Sequence, residues 1–101
     1  MAEADRPKIF RHPILITDHV FDKLRSIDLD LTEFEALLGG GVVIEETELQ
    51  ADVLKELVLL IEWLRPLHLV VVADDARREE RIVTVYEPDP TRWLPGFRRR
   101  R

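Results

Sequence analysis

The stretch DVLKELVLLIEWLRPLHLVVVAD, Asp52 to Asp74, decides the fold. Its first half supports two readings. Leu54, Leu57, Val58, Ile61 and Leu64 recur at helical spacing, while Leu57, Leu59, Ile61 and Trp63 alternate as residues of a strand do. Periodicity alone leaves this half open. The second half is clearer: after the Arg65-Pro66 corner, LHLVVVAD is β-branched and reads as a strand. It carries one oddity, His68, at the head of an apolar run. A buried imidazole needs hydrogen-bond partners, so His68 is either satisfied in a core or kept for chemistry.

Working outward, RIVTVYE (Arg81–Glu87) is a further strand, separated from the last by the charged turn DARREE. Upstream, VVIEET suits a strand at 42–47. Before it, LDLTEFEALLGGG places Asp30 and Glu33 in a capping-box arrangement, Leu29 and Phe34 in a hydrophobic staple, and three glycines at the exit, which predicts a short helix over 31–38. ILITDHVFDKLRSI starts another helix, with Thr17 or Asp18 as cap and Val20, Phe21, Leu24 and Ile27 on one face. If Thr17 is the cap, Ile16 and Phe21 form a second staple. Residues 1–13 hold two prolines and scattered charges without periodicity, and read as an extended or frayed arm. The expected architecture is α+β: two short N-terminal helices packed on one face of a three- to four-stranded, mostly antiparallel sheet, with residues 14–101 as a single domain ending in a basic tail.

Composition narrows the function classes. A chain of 101 residues is one domain that can bury a core without staples, and the absence of cysteine excludes disulfides, thiolate metal sites and a cysteine nucleophile. The N-terminus lacks an export-type apolar core and the longest apolar run, Leu57 to Ile61, is too short to span a bilayer, so a cytoplasmic location and no membrane partner are expected. Charge is uneven: residues 1–91 carry ten basic against twenty acidic residues, while residues 92–101 carry five arginines and no acid. Such a tail suits an anionic partner, or folds back onto an acidic body.

Taken together, LITDHVFDKL, RPLHLVVV and IVTVYEPDPTRW resemble a family of small bacterial proteins, formally a domain of unknown function, with a helix-initial Thr-x-His, a RPLHVV strand and a closing TVYEPD…W strand before a basic end. The resemblance spans residues 14–101. That family is similar to the RelE and BrnT toxin folds and often neighbours a zinc-finger antitoxin of the YgiT or MqsA type. The resemblance implies a ribonuclease toxin of a type II toxin–antitoxin pair, and it implies strand for Leu54–Trp63, in a hairpin with Leu67–Asp74. One departure stands out. The family's helix tends to read His-x-x-x-Arg with a second arginine four residues on, where this chain has Lys23 and Ile27.

Metal-independent RNA cleavage needs a base for the 2′-hydroxyl, an acid for the leaving oxygen and cations for the phosphate. His19, in the first turn of its helix, and His68 suit the proton roles, and Lys23, at i+4 from His19, suits phosphate. Arg65, Tyr86, Arg98, Arg99, Arg100 and Arg101 are candidate RNA or phosphate contacts. A divalent site from His19, His68 and Asp22 or Glu62 ranks lower, since no HxH or HxxxH pair exists; no metal or cofactor is expected. Trp93 and Phe97 either clamp the C-terminal segment onto the sheet or stack on bases, with the Pro95-Gly96 turn favouring the clamp. Two readings follow. The first is a toxin-like endoribonuclease with RNA and a cognate antitoxin protein as partners. The second is a non-catalytic, degenerate toxin acting as a protein-interaction module. A homodimer through a sheet edge is compatible with either.

Overall fold

A computed structural model describes residues 2–101. Its elements run β1 (Ala2–Pro7), β2 (Ile14–Ile16), α1 (Asp18–Ser26), α2 (Leu31–Leu37) with a 3-10 turn at Leu38–Gly40, β3 (Val42–Gln50), β4 (Val53–Leu60), β5 (Leu67–Asp74) and β6 (Glu79–Tyr86). The strands form one sheet in the order β1-β3-β4-β5-β6-β2, antiparallel throughout except for β2, which runs parallel to β6.

The α+β class and the two helices stand as expected, but the sheet has six strands, not three or four. The two additional strands come from segments whose sequence carries no strand period. The arm at 1–13 contributes β1, whose side chains are small, charged or proline and which is fixed by antiparallel pairing to β3. β2 is three residues long, too short for any period to register. Between them, residues 8–13 cross the sheet from one edge to the other.

The ambiguous stretch is strand at Val53–Leu60, with Ile61 to Pro66 forming the turn into β5. Leu57, Val58, Leu59 and Leu60 are each no more than 2% exposed. A strand buried on both faces loses the polar alternation that marks a half-buried one, which is why its pattern also fits a helix. On one face Val58 and Leu60 join Val43, Leu67, Leu69, Val71, Ile82 and Val85 against Val20, Leu24, Phe34 and Leu38 of the helical layer. On the other, Leu57 and Leu59 join Ile44 under Trp93. The layer over this second face is the C-terminal segment, which folds into a small hairpin: Leu94 N donates to Arg99 O (2.8 Å), Arg101 N to Arg92 O (2.9 Å) and Phe97 N to Leu94 O (2.9 Å). Gly96 (φ 91°) and Phe97 (φ 59°) make its turn. We call residues 92–101 the strap.

The helices start and stop by local chemistry. Thr17 occupies the N-cap position of α1, yet its hydroxyl donates to Ile82 O (3.2 Å) and so ties the helix to β6. α1 ends in a Schellman motif: Leu29 N bonds Leu24 O (3.0 Å), Asp28 N bonds Arg25 O (3.3 Å), and Asp28 is left-handed at φ 58°. Asp30 caps α2, its carboxylate accepting from Glu33 N at 2.8 Å. After α2 the chain presses on the sheet at Gly41, where an added Cβ would lie 2.8 Å from Val58 Cγ1.

The crossing segment covers the helix-bearing face beyond the ends of the helices. Glu56 pairs across the sheet with Val71 and Glu80 with Ala73, so both carboxylates point to that face. Lys8 bridges them, with Nζ 2.6 Å from Glu56 and in contact with Glu80, and its side chain is 4% exposed. Arg6 adds ion pairs to Glu46 (2.6 Å) and Glu56 (2.8 Å). No helix among the described residues is long and apolar enough to cross a membrane.

Candidate functional site

β5 alternates between the two cores. Leu67, Leu69 and Val71 face the helices, so His68 faces the strap, fully buried. Its Nε2 lies 2.9 Å from Phe97 O and its Nδ1 3.4 Å from the Tyr86 hydroxyl. A carbonyl only accepts, so the proton sits on Nε2 and Nδ1 accepts from Tyr86. Trp93 packs edge-on at 4.5 Å between centroids and Tyr86 at 5.5 Å. Burial lowers the imidazole pKa below its ordinary value; the bond to Phe97 O and the nearby Glu45 oppose that, and Arg100 adds to it. The ring is therefore neutral at pH 7, with both nitrogens engaged inside the protein. Burial likewise raises the Tyr86 hydroxyl.

Around this ring the strap is held by charge. Arg100 forms a two-bond fork with Glu45 (2.9 and 2.9 Å) and stacks over Trp93 at 4.6 Å. Glu45 is 8% exposed in its side chain, and the Arg100 guanidinium is raised further by it. Arg98 pairs with Asp5 at 3.1 Å and Arg99 with Glu3, so two strap arginines grip β1.

His19 sits elsewhere. It is exposed in the first turn of α1, with Nε2 3.0 Å from Thr84 Oγ1 at the β6 edge. Thr84 pairs with Val70, placing the contact two residue pairs along the sheet from His68 and Tyr86. The two histidines share no hydrogen-bond partner among the described residues. Lys23, one turn on from His19, is exposed and makes no ion pair among the described residues. Arg65 lies just before β5, at the same end as His68, paired with Glu87 (3.1 Å) and stacked on Trp63 at 5.0 Å.

The structure thus brings together His68, Tyr86 and Arg100, and leaves His19 with Lys23 as a second, separate pair. Every arginine expected at phosphate from 98 to 100, and Arg65, is matched to a carboxylate. The grooves among the described residues include two of note. One, of about 600 Å3, lies beside the crossing segment between Arg6, Lys8, Arg11, Asp52 and Asp75; the other, of about 700 Å3, lies between Glu3, Glu45, Arg99 and Arg100. Neither includes a histidine. No group of three or more His, Asp or Glu among the described residues is placed to hold a metal ion.

Sequence reasoning missed Glu45, Thr84 and the Lys8–Glu56–Glu80 cluster. Glu45 reads as an ordinary outward residue of VVIEET; the irregular register between Val43 and Glu45 turns it into the second core, where it meets Arg100. Nothing in the local pattern signals that turn. The chain matches no family model, no curated protein and no solved structure.

Proposed function

We propose that this chain is a non-catalytic protein-interaction module, the degenerate form of the toxin its sequence resembles. One observation carries the reading: His68 is buried under the strap with both ring nitrogens bonded internally, so its ring is closed to a substrate, while the exposed His19 bonds Thr84 instead. Arg65, Arg98, Arg99 and Arg100, four of the cations suited to phosphate, are matched to Glu87, Asp5, Glu3 and Glu45. The helical layer offers the docking chemistry. Asp18, Asp22, Asp28, Asp30, Glu33 and Glu35 are exposed there against Lys23 and Arg25, which suits a basic protein partner such as an antitoxin.

The test is incubation of the purified chain with single- and double-stranded RNA beside the His19→Ala and His19→Ala/His68→Ala variants. The expected result is no cleavage above the double variant and no growth arrest on overproduction, together with co-purification of the product of an adjacent reading frame. Cleavage that the variants lack overturns the reading. The endoribonuclease reading keeps one favourable observation, the exposed His19 one turn from unpaired Lys23; it requires that His19→Ala alone abolish cutting.

A further inference from the structure

We infer that the β2 edge is a self-association surface, on which a second copy of this chain adds its own β2 antiparallel about a twofold axis through Leu15. The inference does not depend on the interaction reading above. Its starting point is the unlikeness of the two sheet edges. β1 is guarded by Glu3, Asp5, Arg6 and Pro7 and by a register break between Glu3 and Arg6, all devices that discourage strand addition. β2, although short, carries no charge, proline or register break of its own: it is Ile14-Leu15-Ile16, with Ile14 40% and Leu15 46% exposed, beside Val83 at 36%.

Hydrogen-bond parity selects the register. Pro13 O accepts from Glu80 N (3.0 Å) and Thr17 N donates to Ile82 O (3.5 Å), so residues 13, 15 and 17 turn their backbone groups toward β6. By alternation, the N–H and C=O of Ile14 and Ile16 point outward. In an antiparallel pair centred on Leu15, Ile14 faces Ile16 of the second copy and each such pair exchanges two bonds, satisfying all the outward groups of both strands. A shift of one residue sets these groups against Leu15 of the second copy, whose own are directed at β6, and no bonds form.

Charge selects the direction. Arg11 and His12 precede β2, and Asp18 and Asp22 follow it. Antiparallel addition lays Arg11 and His12 of one copy beside Asp18 of the other, where parallel addition sets like charge against like. Arg11 is well exposed despite its 3.3 Å contact with Asp75 and is free to respond. With three residues per copy the interface is small, so the dimer is reversible and concentration-dependent.

The absence of cysteine gives a direct test on the full chain. Leu15 and its symmetry mate form a non-hydrogen-bonded pair, with Cα atoms about 4.5 Å apart, within disulfide range. Under mild oxidant, Leu15→Cys is expected to cross-link at least about tenfold faster than Leu64→Cys, a control on a side chain 88% exposed elsewhere. Sedimentation equilibrium of the unaltered chain is expected to show a monomer–dimer equilibrium that Leu15→Arg abolishes while its circular dichroism is unchanged. Equal cross-linking of the two cysteine variants, a monomer at every concentration, or a Leu15→Arg chain that dimerises as before overturns the proposal.

Discussion

His68 holds two elements together through one ring, bonding Tyr86 of β6 and the carbonyl of Phe97 in the strap. Because burial lowers its pKa, the folded state refuses a proton that the unfolded chain accepts near pH 6.5. The stability that comes from the neutral ring is complete above that pH and is lost as pH falls from there toward the depressed folded value. Urea midpoints at pH 7 and pH 5.5 check this. The wild-type chain is expected to lose more stability between them than His68→Gln, which keeps a donor for Phe97 O and does not titrate. Equal losses would remove His68 from the account and leave acid sensitivity to the carboxylates. Glu45 and Arg100, the charged groups facing the ring, act in opposite senses, so desolvation sets the direction.

At the scale of elements, β1 and the crossing segment are fixed by ion pairs more than by apolar contact. Lys8 ties the crossing to β4 and β6 at once, and its ammonium is among the least exposed charges in the molecule. Lys8→Met leaves Glu56 and Glu80 buried with fewer counter-charges and is expected to cost about 3–5 kcal/mol in urea denaturation, part of which Lys8→Met/Glu56→Gln/Glu80→Gln recovers. A cost below about 1 kcal/mol would show that water reaches these carboxylates. This is also where the sequence is least legible. Caps, staples and the Gly exit mark α2 because each is a local event within a few residues. β5 and β6 are marked by β-branched runs. β1 shows no local preference at all; its strand character exists through β3, through the strap arginines on Glu3 and Asp5, and through Arg6 and Lys8 finding carboxylates up to 72 positions away. The site was legible in the same measure. His68 was marked as a polar ring in an apolar strand, and Trp93 as a clamp, but whether His68 faced His19 depended on which side of the sheet the strap covers.

For the whole molecule the sheet separates two cores of unequal size, the smaller closed by Trp93, which is 4% exposed. Trp93→Ala is expected to cost about 3 kcal/mol and to open Leu57, Leu59 and His68 to solvent, read as binding of an apolar dye with helical circular dichroism retained. A variant that melts as the parent does and binds no dye would show the strap to be ornamental. The arginine fork onto Glu45 and the Arg98–Asp5 pair make the strap the closing piece of both the smaller core and the β1 edge. Asp5 and Arg98 are 93 positions apart, so on the ribosome the first strand emerges long before the group that fastens it. A chain cut before residue 92 would keep the strands of the sheet but leave one apolar face bare, a binding surface for chaperones that the strap otherwise hides.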